Sequence, residues 1–173
     1  MTIIRQDDFI QSIADSLQFI SYYHPLDFIQ ALHVAYQKEQ SPAAKDAMAQ
    51  ILINSRMCAE GHRPICQDTG IVTVFLKIGM DVQWASDISV TEMVNEGVRR
   101  AYTDPDNILR ASVLKDPVGK QINTRDNTPA VVHMEVVMGN TVEVDIAAKG
   151  GGSEAKARFV MLDPSDSIVE WVL

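Results

Sequence analysis

Residues 130–148 read AVVHMEVVMGNTVEVDIAA, and they decide the fold class. Apolar and polar side chains alternate on both sides of Gly139-Asn140. Such alternation around a turn dipeptide predicts two strands, 130–137 and 141–148, joined as a hairpin. A two-residue loop would pair Val137 with Val142, setting Glu135 opposite Val144 and His133 opposite Ile146, which mixes polar with apolar. Adding Met138 to the loop instead aligns Val136 with Val142, Met134 with Val144 and Val132 with Ile146. His133, Glu135, Glu143 and Asp145 then share the other face. A three-residue or bulged turn is therefore expected, because a slip of one residue exchanges the two faces. One cost remains: Glu135 lies opposite Glu143, which is unfavourable unless solvent or a cation separates them.

Outward from that segment, Ile71 to Ile78 follows Gly70 and is rich in β-branched residues, so it reads as another strand. Four stretches read as helices. Phe9, Ile13, Leu17 and Ile20 recur at helical spacing. Pro25 fits a first helical position ahead of the stripe Leu26, Ile29, Leu32 and Tyr36. Ser41 and Pro42 open a third helix through Met48, Ile51 and Ser55 that should stop at Gly61. Ser89 and Glu92 form a capping box ahead of Met93, Val94, Val98 and Ala101. With a hairpin and no repeated βαβ unit, the expected class is α+β: a mixed, largely antiparallel sheet with flanking helices in a single domain spanning 1–173. Asp163-Pro164 reads as the cap and first turn of a last helix, whose stripe of Ile168, Val169, Trp171 and Val172 is still running at Leu173. That ending suggests a chain cut short of its natural carboxy-terminal end. Residues 104–127 form the longest stretch without a clear period, and loops of that length are often functional.

The chain has 173 residues, 46% of them hydrophobic, enough for one substantial core. Its net charge of -8 and absence of basic runs argue against nucleic acid and anionic membranes as partners. The amino terminus lacks a basic-then-apolar leader, and no stretch approaches the ~20 apolar residues of a membrane span, so a cytoplasmic location is expected. Cys58 and Cys66 match neither a disulfide framework nor a C-x-x-C motif and read as reduced thiols.

Three runs could carry chemistry. Arg63-Pro64-Ile65-Cys66-Gln67-Asp68-Thr69-Gly70 puts a thiol, an amide, a carboxylate and a hydroxyl in four successive residues. The plain alternative is a packed cysteine with Asp68 and Thr69 capping a turn, and for a lone cysteine that is the commoner case. Lys149-Gly150-Gly151-Gly152-Ser153-Glu154 lets backbone N–H groups approach an anion, but it has neither Walker A nor G-x-G-x-x-G spacing. A strand-to-loop corner without a ligand explains it equally well. Arg110, in the 104–127 loop, can fork a carboxylate, although a surface ion pair is the commoner use of an arginine. Residues 123–129, NTRDNTP, have the composition of a loop fixed by its own side-chain to backbone hydrogen bonds. The four histidines share no metal spacing, and His62, near Cys66, alone merits a test.

Taken in order, PICQDTG, the LR-x-S segment, NTRDNTPA and AAKGGGSE resemble the amino-terminal part of class I, iron-sulfur fumarate hydratases and the related L-tartrate dehydratase α subunits. The resemblance implies a hydro-lyase that interconverts fumarate and L-malate with a 4Fe-4S cluster, three cysteines holding it and one iron open. By it, Cys66 matches the first cluster cysteine, and the other two fall beyond Leu173. Gln67 and Asp68 would touch the substrate, Asp68 acting on the hydroxyl that leaves or arrives. Arg110 would hold a substrate carboxylate, and Gly150 or Gly151 would present backbone N–H groups. The proton-abstracting residue would lie in the missing part. Ala155 stands where the family often has Asn. The resemblance implies a small dicarboxylate as substrate, a carboxy-terminal domain or partner subunit that completes the site, and little activity or cluster in this chain alone. A homodimer is expected from apolar surface left exposed. The alternatives are a tartrate dehydratase α-type subunit, or a non-catalytic binding or assembly domain of the same fold.

Overall fold

The computed structural model describes residues 2–67, 69–150 and 159–172. Its centre is β2 (Ile71–Gly79), the middle strand of a three-stranded mixed sheet in which β6 (Val131–Val137) runs parallel to it and β7 (Val142–Lys149) antiparallel. The α+β class holds. The direct hairpin does not: β6 and β7 are each bonded to β2, which lies between them. Their rows nevertheless match the sequence expectation, because Val132, Val74 and Ile146 align across the sheet, as do Met134, Leu76 and Val144, and Val136, Ile78 and Val142. Alternation fixes which residues share a face, but it carries no information about a third strand inserted between two others.

The physical reason the insertion works lies at the end of β2. The link over 138–141 crosses it, with Gly79 N donating to Thr141 O (2.9 Å), Met80 N to Val137 O (2.9 Å) and Asp81 N to Gly139 O (2.9 Å). A Cβ on Gly79 would stand 2.4 Å from Gly139 O. On the polar face, Lys77 occupies the row between Glu135 and Glu143 and pairs with Glu143 at 3.1 Å. The like-charge conflict between the two glutamates is thus resolved by a cation supplied by the intervening strand.

Val72, Val74 and Leu76 turn their buried face onto α1 (Gln6–Tyr22) and α4 (Val90–Tyr102). From α1 come Phe9, Ile10, Ile13 and Leu17, and from α4 Met93, Val94, Val98 and Tyr102. Each such side chain contributes roughly 1.5–3 kcal/mol on burial. The Ser89–Glu92 capping box opens α4 as the sequence indicates, both reciprocal bonds being made. Where α1 and α4 cross, a Cβ on Gly97 would lie 2.6 Å from Ile13 Cβ and 2.8 Å from Ile10 O. Gly97→Ala is therefore expected to lower stability by about 1–3 kcal/mol, read as a lower denaturant midpoint at unchanged slope.

Two short strands escape the sequence reading, β1 (Thr2–Arg5) and β3 (Val82–Ala85), which pair in parallel beside α1. Phe9 meets Trp84 edge-on at 5.0 Å and ties this pair to the core. α2 (Leu26–Lys38) and α3 (Pro42–Gly61) pack on each other. Pro25 is the cap of α2 rather than its first residue, and α2 has no buried residue. Ser41 caps α3, and His62, left-handed at φ 46°, ends it one residue past Gly61. Leu26, Phe28, Val34, Ile51, Ile53 and Met57 on this helical pair are exposed. The 104–127 stretch holds only a two-residue ladder, β4 (Leu114–Lys115) with β5 (Ile122–Asn123). Near the carboxy terminus, Asp163 and Pro164 form a separate turn rather than a helix start. α5 (Ile168–Val172) begins after Ser167, whose hydroxyl accepts from Glu170 N.

Candidate functional site

The Cys66 turn is built from α3 outward. Past its end, Arg63 N donates to Cys58 O (3.1 Å), Asn54 Nδ2 to Ile65 O (3.1 Å) and Ile65 N to Ser21 O (2.8 Å). Cys58, 6% exposed, points its thiol at Pro64 O (3.6 Å) and Asn54 Oδ1 (3.7 Å), so it serves the backbone that leads into the turn. Cys66 itself is exposed, its thiol 3.3 Å from Gln67 Oε1. The packed-hydrophobe alternative thus describes Cys58 and not Cys66. Neither cysteine is in a disulfide. Asp68 and Gly151 lie outside the described residues.

The turn, the Arg110 loop and the 149–150 corner meet. Thr69 Oγ1 donates to Arg110 O, and Tyr102 Oη donates to Thr69 O (3.0 Å). Gly70 has φ 70°, and a Cβ there would stand 2.3 Å from Lys149 C and O and 2.5 Å from Gly150 N. The first strand of the main sheet therefore begins pressed against the backbone where β7 ends. A cavity of about 120 Å³ opens beneath, lined by Cys66, Thr69, Leu17, Tyr102, Leu109 and Ala148 among others. Arg110 is exposed, directly after buried Leu109. Lys149 Nζ donates to Gly150 O.

The 123–129 segment fixes itself as expected, Arg125 N donating to Asn123 Oδ1 (2.7 Å) and Thr128 N to Asp126 Oδ1 (3.1 Å), and it fixes its neighbours as well. Asn123 Nδ2 donates to Ala111 O (2.8 Å), Thr124 N to Val113 O (2.9 Å), and buried Asn127 reaches Ser112, Val113 and Gly70. Sequence reasoning passed over Asn127; its one local signal was an Asn in a run rich in turn residues, consistent with its φ of 60°. Asp126 accepts from Thr128 N (3.1 Å), Thr128 Oγ1 (2.8 Å) and Arg99 Nε (3.1 Å). Burial pushes its carboxyl up, but those three partners together outweigh burial and hold it below the usual range. A depressed carboxylate stabilises the fold above its unfolded value of about 3.9, and that stability is lost as pH falls through the folded value. Asp126→Asn is expected to shrink the loss of stability on acidification below about pH 4, as measured by denaturant titrations at several pH values.

His62 stacks on Tyr22 at 4.8 Å and lies beside Tyr23, in an aromatic group at the foot of the turn. His24 bonds Ser55 Oγ at 3.0 Å, joining the start of α2 to α3. Among the described residues no group of three or more His, Cys, Asp or Glu is placed to hold a metal ion. No helix of the described residues is long and apolar enough to cross a membrane.

Comparison of the sequence with known proteins identifies the family to which this arrangement belongs. A candidate L(+)-tartrate dehydratase subunit alpha of Methanocaldococcus jannaschii is 33% identical over 149 residues, covering 84% of this chain and 52% of that protein. The anaerobic class I fumarate hydratase of Escherichia coli K12 is 32% identical over 127 residues, covering 73% of this chain and 23% of that protein. The L(+)-tartrate dehydratase subunit alpha of Escherichia coli UTI89 is 25% identical over 154 residues, covering 89% and 50%. The profile of the family described as Fumarate hydratase (Fumerase) matches residues 10–173, and the chain belongs to that family. It spans about half the length of the tartrate dehydratase relatives and about a quarter of the fumarate hydratase.

Proposed function

We propose that this chain supplies half the active site of a hydro-lyase that adds water reversibly across fumarate to give L-malate. The observation that carries this reading is the meeting of the exposed Cys66 turn with the Arg110 loop, through Thr69, and with the 149–150 corner, through Gly70, next to a cavity lined by Cys66, Leu109 and Ala148. An exposed thiol on a bend suits a cluster ligand, whereas Cys58 is committed to Pro64. A 4Fe-4S cluster with an open iron takes three thiolates, so the described residues fit one ligand position and the remaining two belong to a carboxy-terminal domain or partner subunit. When bound, such a cluster supplies Lewis acidity toward the substrate hydroxyl and a carboxylate.

The chain's own residues orient the substrate. Gln67 contacts it beside the turn, and Asp68 hydrogen-bonds the hydroxyl that leaves or arrives. Arg110 forks one carboxylate, and Gly150 and Gly151 offer backbone N–H groups to it. Proton abstraction from the neighbouring carbon falls to the completing part. In this reading the complete protein works as a cytoplasmic homodimer, and the chain alone has little activity.

A second reading, a tartrate dehydratase α-type subunit, is favoured by the larger share of those relatives that the chain spans. Anaerobic iron-sulfide reconstitution of this chain and of the complete protein, followed by assays on L-malate and L-tartrate, tests both. Cluster absorbance near ~400 nm and turnover of malate by the complete protein alone are expected. Turnover of tartrate in its place selects the second reading, and turnover of neither refutes both. In the active protein, Arg110→Met is expected to raise KM for the dicarboxylate roughly 10- to 100-fold, about 1.5–3 kcal/mol for a charge-assisted hydrogen bond, with a smaller change in kcat.

A further inference from the structure

Asn127 is the sole fully buried polar residue among the described ones to bond two of the segments that form the candidate site. Its side chain is 0% exposed. Oδ1 accepts from Ser112 N (2.7 Å) and Val113 N (3.2 Å), two and three residues past Arg110, and Nδ2 donates to Gly70 O (3.0 Å), at the end of the Cys66 turn. This orientation of the amide is the one the surroundings demand, since a flipped group would set NH₂ against two backbone N–H groups. The backbone at Asn127 is left-handed at φ 60°, which asparagine tolerates better than most residues.

We infer that Asn127 is a positioning residue that couples the Arg110 loop to the Cys66 turn through one buried amide. Donor and acceptor are both needed, and no other side chain offers them at this length. Aspartate keeps the acceptor and loses the donor, leaving a carboxylate against the Gly70 carbonyl. Glycine keeps the left-handed backbone and loses every bond. Because Gly70 is pressed on Lys149 and Gly150, the same amide also sets the third segment. Asn123 and Thr124 hold residues 111 and 113 from the other side, so the loop is clamped twice while the turn is joined to it by Asn127 and the Thr69 hydroxyl. The functional meaning of this coupling rests on the hydro-lyase reading, because there the thiol and the arginine must address one substrate. The coupling itself does not.

The test uses this 173-residue chain in three variants, Asn127→Asp, Asn127→Gly and, as a core-destabilised control, Val98→Ala, compared at equal fraction folded. Amide exchange at Ser112 and Val113 is followed by NMR, and iodoacetamide alkylation of the Cys66 peptide by mass spectrometry. Asn127→Asp is expected to leave the two amides protected and raise Cys66 alkylation about threefold or more, Asn127→Gly to release both, and Val98→Ala to release neither. Alkylation at the wild-type rate in both Asn127 variants overturns the proposal. So does an equal rise in Val98→Ala. If the complete protein turns over neither malate nor tartrate, the functional reading fails while the coupling stands or falls on these rates alone.

Discussion

Cys66→Ala in the complete, anaerobically reconstituted protein is expected to lose cluster absorbance and at least about a hundredfold in hydration rate. The floor on that figure follows from the 10- to 100-fold cost of altering groups that merely support a metal ligand, since removing the ligand itself is more severe. Cys58→Ala is the matched control: its thiol faces Pro64 O and Asn54, so uptake should persist while stability falls modestly. Cluster uptake by the Cys66 variant equal to wild type removes the metal role. Retained stability is part of the expected result, because an exposed thiol contributes little to packing.

Gly70→Ala should be the most damaging single methyl in the described structure, at about 2–5 kcal/mol. Two costs add: a left-handed conformation at φ 70° costs an alanine of order 1–2 kcal/mol, and the overpacking another 1–3. The atoms it would strike, Lys149 C and O and Gly150 N, all belong to main chain, so no rotamer can give way. Against a typical total of 5–15 kcal/mol this is a large fraction. Thermal and denaturant unfolding measure it, and a loss below about 1 kcal/mol would show that β2 and the 149–150 corner can separate. The Cys66 turn should move with Gly70, so alkylation of Cys66 offers a second readout.

The helices with chemical punctuation were legible from sequence. Ser41 and Pro42 open α3, Ser89 and Glu92 open α4, and the Phe9-to-Ile20 stripe faces the core. β1 and β3 were not, since four residues such as TIIR or VQWA carry too short a period to stand out, and each is a strand only because the other is beside it. Facing in the sheet was legible and neighbourhood was not: side-chain alternation is local, while the insertion of β2 depends on residues about fifty positions upstream. The candidate site divides the same way. Its motifs stood out as unusual runs, but the bonds that gather them, Thr69 to Arg110 and Asn127 to Gly70, join positions 41 and 57 apart. No window of sequence contains both ends.

The crossing over the end of β2 also sets a hazard during folding. β6 and β7 are four residues apart and already carry matched rows, so on leaving the ribosome they can zip together within microseconds, before a partner some fifty residues away is captured. Such a premature ribbon would satisfy the same side-chain pattern as the native sheet and leave β2 excluded, its apolar face open to other chains. The glutamates supply a counterweight: without Lys77 between them Glu135 and Glu143 repel, so the mispaired ribbon is penalised by the charges that the native arrangement neutralises.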